Sequence, residues 1–340
     1  MSLQTNLEQN CLLAVVGEPA IDREWTAAVV LQGPYVYDKT ARAVRTFLEM
    51  NDPTVLVIVS TYCPPDQPYH GAFLTHYERN IVIAKNGPHV GRLVYLLIRP
   101  PTRVEEPNFW ATNYRNQNLQ RLSSFVGLRY ADSLHIQKSL KCRSDSFLGK
   151  PNICQYLNDN FVEKIPIIER EDIRCQPDKL KQRIVVSDYS QSHGDRSTKY
   201  NFDNFIADFW FFGRTSDLLT YFDIMAGSVW NGGSGIQQEC PPEQTFGFLW
   251  RQEVGINGIR QIEEVFARYL AVVNTSVVEF SFGNSTHRFD YDAYEADRAS
   301  YSRNFEDKMH KIENHILHQN WLDYVKKYTD RDLIAEFGRL

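Results

Sequence analysis

Apolar positions in the first half of the chain fall into two periods. Thr26 to Leu31 is an unbroken apolar, β-branched run ending at Gln32-Gly33-Pro34, and Thr54 to Ser60 and Asn80 to Ala84 repeat that character. Between the first two, Lys39 to Met50 carries Ala43, Phe47 and Met50 at helical spacing. Continuous apolar strands alternating with helices predict a mainly parallel sheet covered on both faces. From Asn113 to Ala131 the apolar residues Leu119, Leu122, Val126 and Tyr130 recur every three or four positions, which predicts a helix. Its other side carries Arg115, Asn116, Gln120, Arg121 and Ser124, the composition of a solvated face.

A short strand, Leu134 to Cys142, leads into Arg143-Ser144-Asp145-Ser146. Arg183 to Ser187 is a further strand, followed by a polar loop, Asp188 to Lys199, whose composition suits a mobile lid. Phe205 to Phe212 is apolar except for Asp208. Helices are expected at Ser216 to Met225, with Thr215 or Ser216 as N-cap, at Glu243 to Gln252, and at Ile259 to Val272. Arg303 to Lys327 reads as a charged helix with a stripe of Phe305, Met309, Ile312 and Ile316. The expected organisation is one domain over 1–285 and a C-terminal helical extension over 286–340 that packs on the core or on a partner.

Composition narrows the classes of function. With 340 residues, 43% hydrophobic and 23% charged, the chain can bury a core without disulfides. A net charge of −5 speaks against nucleic acid as a partner. The six cysteines form no Cys-x-x-Cys pair and read as reduced, buried thiols. No leader pattern or apolar run of membrane-spanning length is visible. The expectation is a cytoplasmic protein, with room for peripheral association with the inner face of a membrane.

Five constellations could carry chemistry. Asp145 follows a strand midway through an α/β pattern, where open sheets bind ligands. Its carboxylate suits Mn²⁺ or Mg²⁺, and Arg143 suits a phosphate; the alternative is an Asp that caps a turn. Gln32-Gly33-Pro34 ends the first strand, where Gly lets a nucleotide approach the backbone or simply closes a turn. Arg115 and Asn118 on the central helix could reach a base, ribose or phosphate. Asp208 amid aromatics is either paired or functional, because an unpaired buried acid is costly. Glu243, in the first turn of a helix after Pro242, is either a helix-dipole partner or a general base. No His spacing suits a metal, and no Walker, Gly-x-Gly-x-x-Gly or Gly-x-Ser-x-Gly pattern is present.

Taken together, these segments resemble the WavE lipopolysaccharide-synthesis family. The likeness rests on Ala28 to Pro34 with Val57 to Thr61, on Asn118-x-Gln120-x-x-Ser123-Ser124-x-x-Gly127-Leu128, and on Lys141-x-Arg143-Ser144-Asp145. It continues through Ala207-Asp208-Phe209 with Phe212-Gly213-Arg214, and Pro242-Glu243-Gln244. The match spans roughly residues 26 to 255, and its order and spacing are more specific than any single motif.

The resemblance implies a GT-A-like (Rossmann-like) α/β fold and a glycosyltransferase that moves a sugar from a nucleotide-sugar donor to a glycan or glycolipid acceptor. It also implies a variant Asp-x-Asp metal motif, here with Arg143 at the first acidic position. The expected donor-binding set is Gln32, Gly33, Pro34, Ser60, Arg115, Asn118, Arg143 and Ser144, with metal at Asp145. Glu243 and Asp208 are the expected catalytic residues, and Gly213 and Arg214 the acceptor-binding ones. Two other readings stay open: a sugar-phosphate nucleotidyltransferase, whose Gly-rich basic loop is missing at Gln32 to Tyr35, and a non-catalytic glycan-binding or scaffold protein.

Overall fold

The computed structural model describes residues 11–35, 37–62, 89–102, 117–188, 206–223, 242–282 and 316–338. Its centre is an eight-stranded sheet. The strands are β1 (Leu12–Val16), β2 (Ala27–Pro34), β3 (Val55–Tyr62), β4 (Leu93–Ile98), β5 (Lys138–Arg143), β7 (Ile184–Ser187), β8 (Trp210–Arg214) and β9 (Leu270–Val273). They lie in the order β1-β4-β3-β2-β5-β8-β7-β9. Six of them point the same way; β1 and β8 run against their neighbours. A second, two-stranded sheet pairs β6 (Ser146–Leu148) with β10 (Phe280–Phe282). This is the mainly parallel α/β architecture that the alternation of apolar runs predicts.

The sheet is buried on both faces. Every residue of β2 from Ala27 to Gly33, and every residue of β3 up to Thr61, is inaccessible to solvent. Helix α1 (Tyr37–Met50) crosses from β2 to β3 and buries Ala43, Val44, Phe47 and Leu48. Helix α2 (Gln117–Ser133) packs on β2 and β3 so closely that a Cβ on Gly127 would run into Val30 Cγ1 and come within 3.0 Å of Ser60 Cβ. Only glycine allows that approach. Of the expected solvated face, Arg121 and Ser124 are buried and Gln120 is half-buried, while Arg115 and Asn116 lie outside the described residues; Asn118 and Ser123 are buried as well. Helix α4 (Thr215–Phe222) packs against the side of α2 away from β2, so both sides of α2 meet protein.

Smaller corrections follow from the same packing. The strand before Arg143 begins at Lys138, because His135, with φ of 59°, turns the chain after α2. Helix α3 (Ile153–Leu157) follows β6 and runs into a π-turn, Asn158–Val162. The N-cap of α4 is Arg214, in extended conformation and with no side-chain cap, not Thr215 or Ser216. Thr215 instead donates to the Ile136 carbonyl at 2.6 Å. The expected helix Ile259 to Val272 is α6 (Ile262–Tyr269) followed directly by β9. Helix α5 (Pro242–Glu253) lies where it was expected.

Of the C-terminal charged helix, residues 303–315 lie outside the described set; α7 (His318–Thr329) and α8 (Leu333–Phe337) are described. Ile316, Trp321 and Val325 are fully buried, and Trp321 Nε1 donates to the Phe266 carbonyl at 3.1 Å. The C-terminal helix thus packs on the core through α6. The expected strand Asn80 to Ala84 and the lid 189–199 lie outside the described residues; the strand beside β3 is β4. Cys11, Cys142, Cys154 and Cys175 are buried free thiols, and burial pushes Cys142 and Cys154 up to about 12. Among the described residues no helix is long and apolar enough to cross a membrane.

Candidate active site at the sheet's carboxyl edge

The chain leaves β2 toward β3 on one side and later adds β5 on the other, so strand order reverses between β2 and β5. In open α/β sheets ligands bind in the crevice outside the carboxyl ends of strands at such a point. Register places Gln32 beside both Ser60 and Arg143 there. The two strand ends are tied together: Ser144 N–H donates to the Gln32 carbonyl at 2.8 Å, and Ser144 Oγ to the Pro34 carbonyl at 2.6 Å. Gly33 sits in this junction with φ of 117°, a conformation that disfavours any other residue, and a Cβ there would lie 3.2 Å from Ser144 Oγ.

Beyond the junction stands an ionic cluster. Arg143 Nε and Nη2 donate to the two carboxylate oxygens of Asp145 at 3.0 and 3.1 Å, a bidentate pair. Its Nη1 lies 3.8 Å from Asp208 Oδ1, and its guanidinium lies over the Phe209 ring, 5.7 Å from the centroid. Asp208 is 2% exposed, and its Oδ2 is buried with no hydrogen-bond partner. Among the described residues, one Asp208 oxygen faces the Arg143 guanidinium and the other accepts no hydrogen bond. Lys141, also buried, donates to the Asp208 backbone carbonyl and lies over Phe211 and Phe222.

The structure divides the expected donor-binding set. Gly33, Pro34, Arg143, Ser144 and Asp145 share this edge. Gln32 and Ser60 are there but buried and committed to holding α2: Ser123 Oγ donates to Gln32 Oε1 at 2.9 Å, and Ser60 Oγ to the Ser123 carbonyl at 2.6 Å. Asn118 is 1% exposed on the first turn of α2. Arg115 lies outside the described residues, as does the side chain of Glu243, whose backbone opens α5.

Gly213 and Arg214 are not part of this edge. Because β8 runs antiparallel to β5, Trp210 pairs with Cys142 near the site, whereas Arg214 pairs with Lys138 at the opposite edge. That separates Arg214 from the site by four strand residues, about 13 Å. Antiparallel entry of β8 was not visible in its apolar run, and it reverses which end of Ala207 to Arg214 meets Asp145.

Two further residues tie the carboxyl edge together, and neither is among the expected site residues. Asp188 ends β7 and is 4% exposed; it accepts from Thr275 N–H at 2.8 Å and from Thr275 Oγ1, joining the ends of β7 and β9. Ser123, the link between Gln32 and Ser60, was legible only as part of the Asn118 to Leu128 pattern. A cavity of about 450 Å³ lies at the other edge of the sheet, lined by Thr26, Asn51, Asp52, Lys138, Asn152 and Phe212. It contains none of the expected site residues, and topology favours the carboxyl edge over it.

A divalent cation does not fit the described residues. Asp145 is the carboxylate placed to hold it, and both of its oxygens are taken by Arg143. Among the described residues no three His, Cys, Asp or Glu side chains gather to hold a metal.

No protein-family model matches the chain, so the WavE resemblance has no family match behind it, and no curated protein matches it in sequence. Three solved structures are similar to the chain, two of them named as a xylosyltransferase and a glycosyltransferase. Mouse xyloside xylosyltransferase 1, apo form, is 7% identical with TM-score 0.37 over 74% of this chain and 86% of that one. GlyE of Streptococcus pneumoniae is 8% identical with TM-score 0.35 over 89% and 60%. S. aureus TarS 1–349 in complex with UDP is 10% identical with TM-score 0.33 over 90% and 72%. Likeness at this level carries no statement about what this chain does.

Proposed function

We propose that the chain is a nucleotide-sugar-dependent glycosyltransferase acting on a glycan or glycolipid hydroxyl. The observation that supports this reading most is the junction of β2 and β5 at the topological switch point. There a positive-φ glycine, backbone groups of Pro34 and Ser144, and the Arg143 guanidinium converge at the carboxyl edge of the sheet. Gly33 removes side-chain bulk where a nucleotide would lie, and Arg143 offers a planar charged fork suited to phosphate oxygens. A nucleotidyltransferase would share the crevice but lacks its Gly-rich basic loop here.

In the proposed reaction the acceptor hydroxyl oxygen forms a bond to the anomeric carbon while the bond from that carbon to the diphosphate oxygen breaks. The nucleoside diphosphate leaves, and the hydroxyl proton passes to Glu243. A single displacement inverts the anomeric centre. Asp208, buried against Arg143, acts by orienting that guanidinium. The test is a transfer and donor-hydrolysis assay across UDP-, GDP-, ADP- and CMP-sugars. Glu243→Gln should lower turnover by about 10²–10⁴-fold with donor affinity unchanged. Near-normal turnover in that variant removes Glu243 from the mechanism, and a product of retained configuration refutes the single displacement.

A further inference from the structure

We infer that the Arg143 guanidinium, and not a divalent cation, supplies the positive charge that holds the donor's diphosphate, an inference that rests on the donor-site reading above. An Asp-x-Asp pair works by presenting two acids to one metal ion; here the first acidic position is Arg143, and its side chain closes on the second. Three consequences follow from the geometry.

An ion bound at Asp145 would have to displace two charge-assisted hydrogen bonds of 3.0 and 3.1 Å, and would then sit beside a fixed positive charge. The other acids described at this edge are turned elsewhere. Asp188 accepts from Thr275, and Asp208 is buried with its Oδ1 toward Arg143. The guanidinium itself is pre-organised. Asp145 grips its Nε and Nη2, Asp208 faces its Nη1, and the Phe209 ring lies against its face. Little side-chain entropy remains to be lost when an anion arrives; Asp145 occupies the Nε–Nη2 edge, so a phosphate oxygen would meet the outer Nη1 and Nη2 N–H groups, which a lysine ammonium does not present in a fixed plane. Asp145 is then a positioning residue acting through Arg143, and Lys141, buried one turn of the pleat below, adds positive potential from beneath.

The test is isothermal titration of the full chain with ADP, CDP, GDP and UDP, each in EDTA and in manganese. At least one should bind with the same Kd in both. Arg143→Gln should weaken that binding by about 10- to 100-fold in both buffers, the cost of losing a hydrogen bond to a charged group. Arg143→Asp, which restores two acids two residues apart, should bind only with manganese present. Circular dichroism melts establish that each variant folds; Arg143→Lys, which keeps the charge without the fork, replaces any that does not and should show an intermediate loss. Wild-type binding that vanishes in EDTA overturns the inference and leaves the donor site standing, as does full-strength binding by Arg143→Gln. No binding in either buffer overturns both.

Discussion

The two edges of the central sheet spend their buried charges differently. At the amino edge, Arg92 donates to the carbonyls of Val55, Leu48, Asn51 and Asp52, and Arg183 to those of Pro166, Leu270 and Ala267. Asp217 there accepts from the backbone N–H groups of Lys181 and Gln182. These side chains complete the backbone's own hydrogen bonding where strands begin. At the carboxyl edge Arg143 meets two carboxylates instead, remains partly exposed, and leaves Asp208 Oδ2 without a partner. A charge whose donors end on carbonyls is structural. One balanced against acids at the carboxyl ends of strands stands where such sheets bind ligands. The same residue type therefore predicts opposite phenotypes at the two ends of one sheet.

The sharpest way to break this contrast is at Arg183, which is fully buried and whose guanidinium burial pushes down to about 9. Arg183→Met keeps much of the volume but orphans three carbonyls, at about 1–3 kcal/mol each before relaxation. Urea denaturation should show a loss of about 3–5 kcal/mol, with nucleotide affinity of the folded protein unchanged. A loss under 1 kcal/mol would mean the amino edge is not held this way. Next in size is Gly127→Ala on α2. Overpacking against Val30 and Ser60 should cost about 1–3 kcal/mol, read as a lowered Tm. A neutral substitution would show that the helix can lift off the sheet.

Ser123→Ala tests whether Gln32 belongs to the scaffold. It leaves the Gln32 carbonyl oxygen buried without its 2.9 Å donor and should cost about 1–2 kcal/mol. If Gln32 is structural, donor affinity should hold once the protein is folded; a selective loss of affinity would return Gln32 to the binding set. The smallest effect concerns pH. His318 donates to the Val272 carbonyl at 2.6 Å, and burial lowers its pKa below the ordinary value. The unfolded chain therefore takes up the proton first. Stability from this group is present above pH about 6.5 and declines as pH falls through the histidine range, by at most about 1.4 kcal/mol per unit. His318→Gln should flatten that part of the stability profile, and an unchanged slope would assign it to other groups.

Much of the sheet was legible because burial on both faces writes itself as unbroken apolar runs: β2, β3 and β7 fall where Thr26 to Leu31, Thr54 to Ser60 and Arg183 to Ser187 place them. The junction at Gly33 and Asp145 was legible for the related reason that strand ends carry the chemistry in such sheets. What the pattern could not convey was direction and partnership. The run Phe205 to Phe212 looks alike whichever way β8 enters, so the sequence does not show that Gly213 and Arg214 lie at the end of the sheet away from Asp145. Polar residues on α2 resembled a solvated face, yet Arg121 and Ser124 are buried, Arg121 against the Asp223 carbonyl and the Phe246 ring. The short β6 and β10 carry three residues each, too few for any periodicity, and α6 passes into β9 without a breaking residue.

The most direct test of the central claim is hydrogen exchange by mass spectrometry on the full chain, with and without the nucleoside diphosphate that binds most tightly. The account predicts new protection in peptides covering 31–35 and 141–147, at the ends of β2 and β5, and none in peptides covering 51–55 and 152–158 around the amino-edge cavity. Protection confined to the amino-edge peptides would contradict it, moving the ligand to the other end of the sheet.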